Sequence, residues 1–257
     1  RHFGPEIRML EQSLPSRDEV AIPVEESRLQ IRCLGPLDVY VEGALVPERA
    51  FGRTKAVELL ALLVTREGRG ISREALVEHL WPGTDFEQGV PRLHVTMHAL
   101  RKAVEPPDCG RSWVHVKERE GLFYLSLESN CWVDLVAFKT FVSKGRVLTG
   151  EGDSEQALSC FLRAINLARG ALFSDRLSWE WADPQRVAWQ DDLLDVLLCS
   201  ADLAMDLQKV GLAVSLVRQA VRVDPFRQDI GVVLNRFLKT AGDVVNRHPE
   251  LREAIEA

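Results

Sequence analysis

Alternating apolar residues between positions 29 and 46, three helical segments of which the last is amphipathic and basic, and a closing two-strand run predict an α+β winged helix-turn-helix domain. A strand-free, helically periodic second half predicts an all-α helical-repeat, tetratricopeptide-like domain after it. The 257 residues suffice for two domains that each bury a core. The expected boundaries are a linker or extension over 1–28, the winged helix over 29–128 and the helical domain over 130–257.

Residues 1–28 mix Pro5, Pro15 and Pro23 with scattered charge and read as a linker, with one or two helical turns near Glu6 to Leu14. They lack a cationic stretch followed by an apolar core, so no secretory signal is expected. From Leu29 the pattern changes. Leu29, Ile31 and Cys33 alternate with Gln30 and Arg32; after Gly35-Pro36, Leu37, Val39 and Val41 alternate with Asp38, Tyr40 and Glu42, as short half-buried strands do. Glu42-Gly43 then turns the chain into Ala44-Leu45-Val46, giving a small antiparallel sheet. Residues 54–66 carry Val57, Leu60 and Val64 with Leu59 and Leu63 beside them, a stripe wide enough for a buried helix, and Gly68 follows where a left-handed cap would sit. Ser72 caps a shorter helix with Leu76, Val77 and Leu80, which Trp81-Pro82-Gly83 stops.

In the third helical segment Leu93, Met97, Leu100 and Val104 recur at offsets of four, three and four, a single core-facing stripe. Phe86 and Val90 extend it backwards, but proline is tolerated best in a first turn, so the helix is expected to begin at Val90 or Pro91. The outward face carries Arg92, His94, Val95, Thr96, His98, Arg101 and Lys102, and no acid follows Pro91 before Glu105. Such a face suits phosphates and base edges. Beyond Pro106-Pro107, the alternating runs 113–117 and 122–127 flank Glu118-Arg119-Glu120-Gly121 as a β-hairpin.

Past Asn130 the strand signals stop. Asp134 is placed to cap a helix carrying Leu135, Phe138, Val142 and Leu148, and Asp153 another with Ala157, Phe161, Ala164 and Leu167. A long helix is expected over about 184–209 and another over 212–223, ended by Asp224-Pro225. Ala157 and Ala164 share their seven-residue spacing with Ala213 and Ala220, offset by 56 residues, as small residues do where paired helices approach in a repeat.

Composition narrows the function classes. The net charge is −6, and no segment is basic overall: residues 29–128 hold 13 basic and 14 acidic groups, residues 130–257 hold 15 and 18. Nucleic-acid binding would therefore rest on a local patch, because counterion release depends on which charges face the phosphates. No apolar run approaches the roughly 18 residues of a membrane span. Cys33, Cys109, Cys131, Cys160 and Cys199 form no C-x-x-C pair, the usage of reduced thiols in a cytoplasmic protein. His94 and His98 lie four apart but lack the Glu of a zinc-protease helix, so they are assigned to structure or DNA rather than to a metal. Trp179, Trp181 and Trp189 with Phe173 are read as packing rather than as a ligand pocket. With no phosphate-cradling loop, dinucleotide fingerprint or nucleophile elbow, the chain is not expected to be an enzyme; no catalytic residue, cofactor or metal is assigned.

The assembled motifs resemble those of the bacterial regulators that join an OmpR-type winged helix to a bacterial transcriptional activator domain, as in the Streptomyces antibiotic regulatory proteins. The matching residues are Cys33-Leu34-Gly35-Pro36-Leu37, Lys55 with Leu59-Leu60-Ala61-Leu62-Leu63, Ile71 to Leu76, Leu80-Trp81-Pro82 and Leu100 to Val104. In the second half they are Val133-Asp134 with Phe138, Gly152-Asp153 to Ala157, Ala164 to Leu167, Arg169-Gly170, Trp181, Arg186 and Val223-Asp224-Pro225. The resemblance implies a transcription regulator, an activator that binds direct-repeat sites in double-stranded promoter DNA, forms homo-oligomers and recruits RNA polymerase. Carried over by position, it implies a DNA face of Arg92, His94, Val95, His98, Ala99, Arg101 and Lys102, with Lys117 and Arg119 on the wing. Position 99 is Ala where such winged helices often hold a basic residue, and the wing carries Glu118, Glu120 and Phe123 where Gly or basic residues are usual.

Arg101 and Lys102 are assigned to phosphates, and Arg92, His94 and His98 to the groove. The alternative, motivated by the acidic wing and the near-neutral first domain, is a helical-repeat protein-interaction or signalling module whose winged helix is structural or binds protein.

Overall fold

The computed structural model describes residues 27–106, 113–128 and 130–225. The expected turns near Glu6 to Leu14, Cys109 and the chain beyond Pro225 lie outside the described residues. Two units divide the rest. Within the described residues one comprises 27–137 with 172–185, the other 138–171 with 186–225.

The first unit begins with an antiparallel meander of β1 (Leu29–Arg32), β2 (Asp38–Val41) and β3 (Ala44–Leu45). Glu42 and Gly43 join β2 to β3 with φ of 49° and 77°, the paired left-handed conformation whose twist suits a two-residue hairpin. Three helices follow: α1 (Thr54–Thr65), α2 (Arg73–Leu80) and α3 (Phe86–Val104). The apolar stripe of α1 is wide enough that every residue from Ala56 to Val64 is buried, which makes it the hub of this core. Ser72 caps α2 by accepting the Ala75 N–H at 3.3 Å. The hairpin of β5 (Val116–Arg119) and β6 (Leu122–Leu125) closes the unit.

Two short strands depart from expectation. Ile71 and Ser72 form β4, which pairs with β6 and turns the hairpin into a three-stranded sheet. Strand signals were expected to end at Asn130, yet Cys131–Val133 forms β7, parallel to β1 at the edge of the meander. All three of its residues are buried, so no polar alternation marks it. Asp134, which opens α4 (Asp134–Glu151), accepts the N–H groups of Cys33, Leu34 and Leu135 at 2.8–3.0 Å. Its carboxylate thus ties the end of β1 to the start of α4 as well as serving the helix terminus.

Residues 172–185 complete this unit. The Phe173 and Ser174 N–H groups donate to the Cys33 and Gly35 carbonyls at 3.0 and 2.9 Å, and Leu37 N–H donates to Asp175 Oδ1 at 2.9 Å. Trp181 Nε1 donates to Glu58 Oε1 at 3.1 Å, while Lys55 Nζ holds the other oxygen at 2.7 Å, which accounts for an acid buried on α1. Trp179 and Trp181 stack at 5.8 Å beside Phe173.

The second unit contains the rest of α4, α5 (Ser154–Leu167), most of α6 (Asp183–Asp206) and α7 (Val210–Val223). Ala157, Ala164, Ala213 and Ala220 are all fully buried. On α4, Gly145 lets the helix approach α5 closely: an added Cβ would lie 2.5 Å from the Phe161 ring. Trp189 packs edge-on to Phe138 at 4.7 Å and donates to the Gly170 carbonyl. Among the described residues no helix is long and apolar enough to cross a membrane.

Candidate nucleic-acid interface

The third helix begins at Phe86, a full turn before the expected Val90 or Pro91. Pro91 lies inside it and withholds one N–H from the second turn. Packing offsets that loss. Gly89 is buried against α2, and a Cβ there would stand 2.2 Å from Val77 Cγ1, so a glycine allows the first turn to close on its neighbour. Gln88 and Gly89 both donate to the Asp85 carbonyl, which fixes the helix entry.

Leu93, Met97, Leu100 and Val104 are buried as their spacing predicts, and α3 packs by this side on α1 and α2. Thr96 was expected on the outer face but is only 2% exposed; its hydroxyl donates to the Arg92 carbonyl at 2.8 Å, which satisfies a buried polar group within the helix. The outer face therefore consists of Arg92, His94, Val95, His98 and Lys102, all exposed, with Ala99 and Arg101 half-buried along its edge.

Arg101 has a structural tie that its sequence position concealed. Its Nε donates to the Val116 carbonyl at 3.0 Å and its guanidinium lies 5.0 Å from the Trp113 ring centre. Burial pushes this guanidinium below its ordinary value, against the pull of Glu105 and Glu118. His98 meets the same indole edge-on at 6.4 Å. Trp113, at the entrance to the hairpin, thus joins α3 to the wing.

Glu105 makes the second tie. It is buried directly after α3, and its carboxylate accepts the N–H groups of Val114, His115 and Val116 at 2.8–3.0 Å. Arg73 makes the third: it ion-pairs with Glu118 and lies 5.7 Å from the Phe123 ring. Two of the three residues that made the wing look unsuited to DNA are thereby engaged with a cation at the root of α2. Along β5, Lys117 and Arg119 fall on the side opposite Val116 and Glu118. The turn itself is Glu120-Gly121, with φ of 55° and 79°, and Arg119 is highly exposed 3.6 Å from Glu120.

The described geometry brings Arg92, His94, Val95, His98 and Lys102 onto one helix face and places Lys117 and Arg119 on the adjoining hairpin. Trp113, Glu105 and Arg73 were missed as contributors because each acts through a partner distant in sequence or on another element. No group of three His, Cys, Asp or Glu side chains is arranged to hold a metal among the described residues.

Residues 50–123 match the model of the C-terminal domain of transcriptional regulatory proteins, and residues 133–246 match that of the bacterial transcriptional activator domain. The transcriptional regulatory protein MoaR1 of Mycobacterium tuberculosis is 21% identical over 225 residues, 85% of this chain and 71% of that protein. The regulatory protein AfsR of Streptomyces coelicolor is 25% identical over 232 residues, 89% of this chain but 22% of AfsR. A solved structure of Mycobacterium tuberculosis EmbR in complex with a low-affinity phosphopeptide superposes with a TM-score of 0.63 at 21% identity, covering 90% of this chain and 65% of that one. That likeness establishes the shared fold. An OmpR-type winged helix followed by a bacterial transcriptional activator domain places the chain in the family of regulators typified by the Streptomyces antibiotic regulatory proteins.

Proposed function

We propose that the chain is a cytoplasmic, DNA-binding transcription activator that lays the outer face of α3 in the major groove and the β5–β6 hairpin along the neighbouring backbone. The observation that carries this reading is the exposed row of Arg92, His94, Val95, His98 and Lys102, opposite a buried stripe, on a helix that Arg101 and Glu105 tie to the wing while Arg73 ties α2 to it. Arg92, His94 and His98 supply donors to base edges; Lys102, Lys117 and Arg119 supply cations to phosphates. Arg101 serves chiefly to hold the wing. The helical unit is assigned to self-association on direct-repeat sites and to contact with RNA polymerase, the role its family resemblance supports.

Selection of bound duplexes from a random pool by the purified chain tests the reading. A direct repeat is expected. Lys102→Ala should weaken all duplexes alike, whereas His98→Ala should change the preference among them. Equal effects of both variants on every duplex, or no enrichment, would overturn the assignment.

A further inference from the structure

Val95 stands in the middle of a cationic, hydrogen-bonding face, yet it is a branched hydrocarbon left 48% exposed. Arg92 lies one turn before it, His98 and Ala99 one turn after, and Lys102 two turns after. Phe86, the other exposed large apolar side chain of α3, lines a groove with Val77 and Thr84 at the start of the helix and belongs to different surroundings. At position 99, one turn after Val95, the side chain is only a methyl group. A basic residue there would cross the same surface.

A valine on a helix is stiff at χ1 and presents its two methyl groups in one orientation. In the major groove the apolar feature that a base pair offers is the thymine C5-methyl group; the other edge groups are donors and acceptors. An exposed, rigid hydrocarbon between His94 and His98 on the groove-facing side therefore matches one base and mismatches polar edges, which it would desolvate without a partner. We propose that Val95, with the Ala99 methyl behind it, is a specificity-determining residue that reads thymine through its C5-methyl group. This rests on the DNA-binding reading of α3 given above.

The experiment uses the duplex selected by the whole chain, resynthesised with each thymine in turn replaced by deoxyuridine, which removes the methyl group and leaves base pairing intact. The wild-type chain should bind about fourfold more weakly at one or two thymines per half-site, the equilibrium worth of one buried methyl group. Val95→Ala should bind the unsubstituted duplex more weakly and lose that sensitivity. A selected site without thymine, or wild-type affinity unchanged at every substituted position, overturns the proposal while leaving DNA binding standing. Sensitivity that persists in a folded Val95→Ala chain also overturns it. The wild-type profile needs no variant, so it decides even where Val95→Ala fails to fold. Failure to select any duplex overturns the DNA-binding reading itself and this proposal with it.

Discussion

Replacing Glu105 by Ala should loosen the wing from the recognition helix and lower the stability of the winged-helix unit by about 3–5 kcal/mol. The magnitude follows from the acceptors removed. One carboxylate serves the N–H groups of Val114, His115 and Val116, and the last two residues are buried. A buried donor stripped of a charged acceptor costs about 1–3 kcal/mol, and water can replace the acceptor only at Val114, on the half-exposed approach to β5. Against a domain stability of roughly 5–15 kcal/mol the loss is large. Glu105→Gln keeps one oxygen and should recover about half of it. Urea unfolding measures the change, and native-state hydrogen exchange locates it: protection at residues 114–116 should fall before protection in α1. An alanine variant within about 1 kcal/mol of wild type would refute the claim that this carboxylate holds the hairpin.

Two further outcomes follow from the same region. His115 is fully buried with no hydrogen-bond partner among the described residues for either ring nitrogen, and burial holds its pKa below the ordinary value; Glu105 and Glu42 oppose, while Arg28 and Lys117 act in the same direction as burial. The unfolded chain then binds the proton more readily, so His115's contribution to stability is present above the unfolded pKa of about 6.5 and is lost as pH falls through the folded value. The urea midpoint should decline between about pH 7 and 5, and His115→Gln, which does not titrate, should flatten that decline; an unchanged slope would contradict the burial argument. Gly89→Ala should destabilise by about 1–3 kcal/mol despite alanine's better helix propensity, because its Cβ would meet Val77; a gain in melting temperature would show that α2 and α3 separate freely there.

What was legible in the sequence followed element length. The stripe Leu93, Met97, Leu100, Val104 spans three turns and every member is buried, and Ala157, Ala164, Ala213 and Ala220 are buried as well. Two-residue β4 and three-residue β7 are too short for a period, and their pairing with β6 and β1 is a long-range choice without local signature. The same holds for residues 172–185, whose bonds to Cys33, Gly35 and Glu58 cross more than a hundred residues. Thr96 shows the limit of hydropathy: its hydroxyl found the Arg92 carbonyl within the helix, so a polar residue could enter the core. At the candidate interface the outward cations were readable from periodicity, but the roles of Arg101, Glu105 and Arg73 were not, because charge alone does not tell a phosphate contact from a strut. Arg73 pairs with Glu118, one of the two acids on the wing, across 45 residues of sequence.

On the DNA-binding reading proposed above, the outer face of α3 and the hairpin meet the DNA backbone as cations. Titrating the purified chain against its selected duplex across a range of salt concentrations tests it most directly. The logarithm of the binding constant should fall linearly with the logarithm of salt concentration, by a slope of about 0.9 per phosphate contacted, and Lys102→Ala should reduce that slope by about 1. Absence of binding at low salt, or binding that does not weaken as salt rises, would contradict it.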